Sequence, residues 1–385
     1  MIYFDNAATS FPKPQNVQLA VADAVRVYGG NPGRSGHKIS MRVSEKIFGV
    51  RQKAAGFFGA QPENVVFTLN CTMALNMAIK GIMGRSGHII TSSLEHNSVI
   101  RPIHALSRQS DVTYSVAAVA EEDPEQTVRN FRSLIRSDTK AIACTYASNV
   151  SGTVLPIREL GALCREKGIF FIVDAAQAAG VFSINIRELG IHCLCMAGHK
   201  GLYGTTGTGL LILGEGVPIE PILEGGTGSN SLELEQPDFL PDRLESGTIN
   251  TVGILALGAG FDFLTHHRPE VVYQYEMALC SRVYSEMKTM ENVQLVANSF
   301  RLREKAPLVS FNIRGTGSAA VAEYLSGRGF ALRGGLHCAG LAHQSFGTVE
   351  QGAVRFSPSS FNNTKQVGAF LEEVKKIQKM GLLRG

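Results

Sequence analysis

Two short, unbroken apolar runs limit what this chain can fold into more than any other feature. Ile169 to Val173 follows Gly168 and ends at Asp174, and Cys193 to Ala197 ends at Gly198-His199-Lys200. Runs of five apolar residues are too short for helices. They read as strands buried on both faces, the mark of a parallel sheet covered by helices. Open α/β sheets gather ligands at the carboxyl ends of their strands. Asp174 and Lys200 stand at two such ends, 26 residues apart (200 − 174). A carboxylate there needs a cationic partner, and a partly desolvated lysine is a nucleophilic amine.

An amine for an aldehyde and a carboxylate for a pyridinium nitrogen are what pyridoxal 5′-phosphate (PLP) requires. From the pair alone, a helix-capping Asp174 and a solvated Lys200 are equally open. The rest of the chain supplies the context. Pro12 and Pro14 make residues 1–14 an extended arm. Helices are expected from about 16 to 27 and over 39–58, the second with Val43, Ile47, Val50 and Ala54 on one face. The Gly-rich loop between them, 28–37, carries Arg34 and His37 as pocket candidates.

Val65 to Thr68 reads as a strand leading through Leu69-Asn70 into a helix from Cys71. Such a junction offers unpaired amides and a favourable dipole to an anion. Cys71 and Thr72 therefore form a candidate phosphate cradle, with a plain helix cap as the alternative. Strands over His88–Ser92, Lys140–Tyr146 and Leu210–Leu213, a charged helix over 124–137 and a helix opening at Pro156 continue the alternation. His96 follows the first of these strands. Its ring can stack on a flat ligand or move protons, or be a satisfied loop histidine.

A long helical stretch from Val252 marks the expected boundary. The division is an arm, 1–14, a large domain, 15–252, and a small C-terminal α/β domain, 253–385. The small domain should hold a strand over 307–314, a helix near 317–327, a last strand over 351–357 and a terminal helix. Gly334, Gly335 and Gly340 make 333–341 a mobile loop. Within it, Cys338 lies beside His337 and five residues from Arg333, a positive setting that favours thiolate. A buried structural cysteine is the alternative.

Composition removes several function classes. Over 385 residues the chain is 44% hydrophobic and 18% charged, with net charge +4 and scattered Lys and Arg, so no nucleic-acid footprint is expected. No apolar run approaches a membrane span, and no signal peptide opens the chain. Seven cysteines without a regular framework suggest a reducing compartment, with the cytoplasm as default, and no metal site is expected.

VDAAQ (173–177), GHK (198–200), SSLEHNS (92–98), SNVSGT (148–153), ESGTIN (245–250) and RGGLHCA (333–339) together resemble the cysteine desulfurases, a branch of the PLP-dependent class V aminotransferases. The resemblance runs from Tyr3 to about Thr364. It implies fold type I, with a mostly parallel seven-stranded sheet in the large domain. Lys200 would carry PLP, Asp174 would face the ring nitrogen, and His96 would stack on the ring and move protons. Gln177 and Asn149 would reach the phenolate, and Asn149 the substrate too. His199, Cys71 and Thr72 would complete the pocket. The family's G-T-T-E is here Asn70-Cys71-Thr72-Met73, which leaves Cys71 a contact to phosphate through its amide or a weak thiol donor. Thr248 would donate to the phosphate of a partner subunit, implying a homodimer.

Arg355, with Arg333, would grip the substrate carboxylate. Cys338, on a compact loop of the group II kind, would take sulfur from L-cysteine as a persulfide, leaving L-alanine. A sulfur-acceptor protein would follow, serving iron–sulfur cluster assembly or a related route. Two alternatives stand beside this: a selenocysteine lyase acting on L-selenocysteine, and a non-catalytic PLP-fold scaffold for a sulfur-carrier partner.

Overall fold

The apolar runs lie where their lengths place them, as buried strands of one large sheet. The structure is a computed structural model describing residues 1–32, 36–229, 231–297, 300 and 305–380. Arg34 lies outside the described residues. The elements in order begin with β1 (Ile2–Tyr3), α1 (Gln15–Val27), α2 (Lys38–Phe58), β2 (Val65–Thr68), α3 (Cys71–Met83), β3 (Ser86–Ser92), α4 (Asn97–Gln109) and β4 (Asp111–Ala117). There follow α5 (Pro124–Ser133), β5 (Thr139–Thr145), α6 (Ile157–Lys167), β6 (Phe170–Asp174), α7 (Ile186–Leu189), β7 (Cys193–Ala197), β8 (Gly209–Leu213), α8 (Thr251–His267) and α9 (Pro269–Met287). The last third holds β9 (Val293–Leu295), β10 (Val309–Ile313), α10 (Ser318–Gly327), β11 (Phe330–Ala331), β12 (Arg333–Gly335), α11 (Gly340–Ser345), β13 (Ala353–Phe356) and α12 (Thr364–Met380).

Seven strands form the large sheet in the order β2-β8-β7-β6-β5-β3-β4. All neighbours run parallel except β8, which is antiparallel to both β7 and β2. Every residue of β7 and β8 is buried, as a sheet covered on both faces requires. One apolar core, from Val43 and Ile47 of α2 to Leu257 and Phe261 of α8, fills one face. A second, built on Leu75, Ile79 and Met83 of α3, fills the other. Asp174 pairs with Thr145 and Cys195 in register, so the ends of β5 and β6 meet at one level and β7 runs two residues further. That level is the floor of the site.

A separate antiparallel sheet, β12-β13-β10-β9, packs with α9, α10 and α12 around Phe311, Phe356 and Phe370. The N-terminal arm belongs to this part of the molecule. β1 pairs in parallel with β11, and Asp5 bridges to Ser357.

Three expectations change. The charged helix stops at Ser133 rather than 137, because Thr139 Oγ1 accepts the Arg136 amide at 2.8 Å and turns the chain into β5. The long helix from Val252 is two helices, broken where Arg268 takes a left-handed φ of 60° before Pro269, which has no amide to continue the ladder. Residues 333–335 are not mobile loop but strand β12, hydrogen-bonded along β13. A Cβ on Gly334 would stand 2.4 Å from the Ser318 carbonyl oxygen, so the glycine permits close packing of this strand on α10.

Candidate active site

A cavity of about 230 Å³ opens at the carboxyl ends of β5, β6 and β7, lined by Cys71, Thr72, His96, Asn149, Asp174, Gln177, His199 and Lys200 among others. Eight of the nine residues expected to hold a cofactor therefore come together. Thr248 does not. It is exposed and lines a different cavity with Asn31, Phe48, Arg51 and Glu245.

The floor is Asp174, 4% exposed, whose Oδ1 accepts the Ala176 amide at 2.9 Å. Lys200 rises from the turn after β7. That turn is tight: a Cβ on Gly198 would meet Thr208 Oγ1 at 2.4 Å. The peptide preceding Lys200 is held from the arm, with the His199 carbonyl accepting from Lys13 Nζ at 2.8 Å and from Thr9 Oγ1 at 3.0 Å. Burial first, and then the positive charge of Arg355, lowers the Lys200 pKa and favours the free amine.

His96 caps α4. Its Nδ1 accepts the Ser98 amide at 3.1 Å, which leaves Nε2 to carry the proton of the neutral ring. Burial lowers its pKa. Burial also pushes His199 down to about 4, and its Nδ1 has no partner among the described residues. Gln177 Nε2 donates to the Ala7 carbonyl at 3.0 Å.

Where β2 gives way to α3, Asn70 caps the helix by accepting the Met73 amide at 2.9 Å. The first intrahelical bond is from the Ala74 amide to the Asn70 carbonyl, so the amides of Cys71 and Thr72 precede the ladder and, with no partner among the described residues, are open to an anion. Thr72 Oγ1 stands 2.8 Å from Ser98 Oγ. The Cys71 thiol is not part of this cradle. It turns inward and donates to Asp174 Oδ1 at 3.4 Å, so of the two expected contacts to phosphate, amide or thiol, only the amide is left. The carboxylate beneath it is the stronger acceptor available to a buried S–H.

Arg355 and Cys338 approach from the small sheet. Arg355 is 1% exposed and donates through Nη1 to the Asn149 carbonyl at 3.0 Å. Cys338 is exposed, with Arg333 Nη2 3.8 Å from its sulfur. Its peptide is tied to α4 and to the loop after β5: the Asn97 amide donates to the Cys338 carbonyl at 2.7 Å, and Asn149 Nδ2 to the His337 carbonyl at 2.9 Å. His337 and Cys338 both take left-handed φ, 50° and 55°, a strained pair for residues with side chains. The imidazole of His337 does not supply positive charge to the thiol, contrary to expectation. It is buried, donates Nε2–H to the Ala353 carbonyl at 2.9 Å, and burial pushes its pKa down to about 3. The positive neighbour of Cys338 is Arg333 alone among the two expected.

Two residues of the site carry no assignment from sequence. Glu95, fully buried beside His96, accepts the Thr145 amide at 3.0 Å and a short bond from Ser92 Oγ; burial raises its pKa to about 8. Its only sequence signal is a carboxylate three residues past a strand-end serine. Asp5, on the arm, pairs with Arg355 at 2.9 Å. His37 serves elsewhere, accepting the Ser40 amide at the start of α2.

Comparison with known proteins decides the family. The class-V aminotransferase family model matches residues 2–370. The chain belongs to that family, among the cysteine desulfurases. A probable cysteine desulfurase of Methanothermobacter thermautotrophicus is 28% identical, over 99% of this chain and 95% of that protein. One from Xylella fastidiosa is 30% identical, over 99% and 91%. The solved apo structure of a cysteine desulfurase from Thermococcus onnurineus superposes with a TM-score of 0.91 at 30% identity, covering 98% of this chain and 95% of that one. The architecture is PLP-dependent fold type I, and PLP is the family's cofactor. The residues present fit that group: a carboxylate floor, a depressed lysine amine, and two free helix-terminal amides around one cavity.

Proposed function

We propose that this chain is a PLP-dependent cysteine desulfurase that converts L-cysteine to L-alanine and receives the sulfur on Cys338. The observation that carries this reading is the bridge between the two parts of the site. The Cys338 carbonyl accepts the amide of Asn97, the residue after His96, so the cysteine's backbone is tied next to a residue that lines the cavity with Lys200.

The cavity residues would hold PLP through Lys200 and Asp174, with His96 against the ring, Gln177 and Asn149 toward the phenolate, His199 behind, and the amides of Cys71 and Thr72 at the phosphate. When bound, PLP supplies an electron sink for the substrate's Cα. Arg355 binds the substrate carboxylate, with Arg333 nearby. Lys200, as free amine, removes and returns the Cα proton, and His96 exchanges protons through Nε2. The Cys338 thiolate attacks the substrate sulfur: an S–S bond forms, the Cβ–S bond breaks, and the carbon fragment takes up protons to leave as alanine.

The short, tethered cysteine loop supports the group II assignment and a sulfur-acceptor protein that comes to the thiol. Exposed Thr248 shares its cavity with Phe48, which is 47% exposed, and Ile39 and Met41 are exposed on the same helix. This face suits a second copy of the chain, with Thr248 reaching the phosphate there. We take the chain as an arm, 1–14, a large unit, 15–252, and a small unit, 253–385, that brings Cys338. All seven cysteines are free, which suits the cytoplasm; no described helix is long and apolar enough to cross a membrane.

The test is alanine and sulfide release from L-cysteine with a reductant, in wild type and Cys338→Ala. Alanine from wild type and almost none from the variant supports the reading. Equal release from both overturns the role of Cys338 and makes L-selenocysteine the next substrate to try.

A further inference from the structure

The two oxygens of Asp174 are not equivalent. Oδ1 takes both available donors, the Ala176 amide at 2.9 Å and the Cys71 thiol at 3.4 Å. Oδ2 has no hydrogen-bond partner among the described residues and is not sealed in protein, on a side chain that lines the cavity. With two donors on one oxygen, the carboxylate cannot turn about its Cβ–Cγ bond without breaking both. The donors come from different elements: Ala176 lies just beyond β6, while Cys71 opens α3, so the thiol fixes the carboxylate from the side of the phosphate cradle.

The state of the thiol agrees with this geometry. Cys71 is 8% exposed, and burial, with the nearby Asp174 charge second, drives its pKa well above the ordinary thiol value. It remains S–H, a donor and not a nucleophile. That separates it from Cys338, the exposed thiol of the same site.

We propose that Cys71 is a positioning residue: its S–H pins Asp174 Oδ1 so that Oδ2 faces the pyridinium N–H of PLP. The inference rests on the reading of Asp174 as the ring-nitrogen partner. It assigns the Cys71 side chain to the ring end of the cofactor and only its backbone amide to the phosphate end.

The test measures the PLP dissociation constant by absorbance titration of the full chain carrying Lys200→Ala, so that only non-covalent contacts count. Cys71→Ala should weaken PLP roughly three- to tenfold, the size of one modest hydrogen bond. Cys71→Val should do the same if the alanine variant folds poorly, and Cys71→Ser, which keeps a donor, should stay within about twofold of the parent. Asp174→Asn should weaken PLP more than any of these. Adding Cys71→Ala to Asp174→Asn should cost less than about twofold further, because the thiol acts through the carboxylate. An unchanged dissociation constant in Cys71→Ala and Cys71→Val, or a full additional loss in the double variant, overturns the proposal while leaving Asp174 in its role. No loss in Asp174→Asn removes the underlying reading and the proposal with it.

Discussion

Arg355 and Asp5 form an ion pair across 350 residues of chain, Nη2 to Oδ1 at 2.9 Å. The guanidinium is 1% exposed and the carboxylate side chain 20%. A cation so buried needs its partner. Arg355 Nη1 is taken by the Asn149 carbonyl, and Nε is buried without a partner among the described residues. Nε is thus unspent, while the arm, through Asp5, holds Nη2 and the loop after β5, through Asn149, holds Nη1.

Removing Asp5 should therefore cost stability and substrate affinity together. Asp5→Ala leaves the guanidinium uncompensated and should lower unfolding free energy by about 2–3 kcal/mol, below the fully buried range because Asp5 is partly wet. Asp5→Asn, which keeps an acceptor, should lose less. Urea denaturation checks the first effect. A KM for L-cysteine that rises while kcat holds checks the second; an unchanged KM would show that the pair serves the fold alone.

His337 gives a pH dependence of definite sign. Its folded pKa, about 3, lies below the ordinary 6.5, so between those values the unfolded chain binds a proton that the folded chain refuses. Its contribution to stability is intact above about pH 6.5 and falls as pH drops toward 3. Between pH 7 and 5 the loss from this group is about 2 kcal/mol. His337→Gln, which keeps an N–H for the Ala353 carbonyl, should flatten that slope. Denaturation midpoints of wild type and variant at the two pH values measure it, and parallel slopes would refute it.

Glu95 works in the opposite direction. Its folded pKa, about 8, is raised above the ordinary 4.5, so the folded chain holds a proton that the unfolded chain has released. The stability it contributes is complete below about pH 4.5 and declines as pH rises to 8. Glu95→Gln mimics the protonated form. It should be near neutral at pH 5 and more stable than wild type at pH 7, by up to about 3 kcal/mol. A variant weakened equally at both pH values would mean that the carboxylate itself is required.

Gly334→Ala tests the packing of β12. The added methyl meets the Ser318 carbonyl carbon and oxygen at 2.8 and 2.4 Å, backbone that cannot step aside cheaply. A loss of about 1–3 kcal/mol is expected, with slower persulfide formation on Cys338 from L-cysteine because Arg333 and Cys338 move with the strand. Thermal unfolding and single-turnover kinetics would measure the two.

Asp174 and Lys200 were legible in sequence because a run of buried strand residues has a definite end, and the chemistry at that end is a short-range property. Cys71 was legible as the start of a helix, but not the direction of its thiol, which depends on a carboxylate 103 residues away. His337 reads as a positive neighbour in sequence; only its burial against Ala353 makes it neutral. Three glycines in 333–341 suggest mobility, yet Gly334 lets a strand pack closely on α10, a distinction set by α10 and β13 rather than by local composition. Asp5 could not be matched to Arg355 from sequence, since nothing local distinguishes an arm carboxylate that reaches a distant strand from one in solvent.

The pairing of β1 with β11, and of Asp5 with Ser357 and Arg355, has a consequence for the order of assembly during translation. The ribosome releases the arm early and its partners late. The large sheet can form while residues 2–5 still lack the strands they will pair with, since chains fold as units from the amino end. The Asp5–Arg355 pair, and with it the proposed subsite for the substrate carboxylate, is therefore deferred until residues 330–357 have emerged. A nascent chain stalled short of that point would hold a formed floor around Asp174 and Lys200 with no Arg355 beside it.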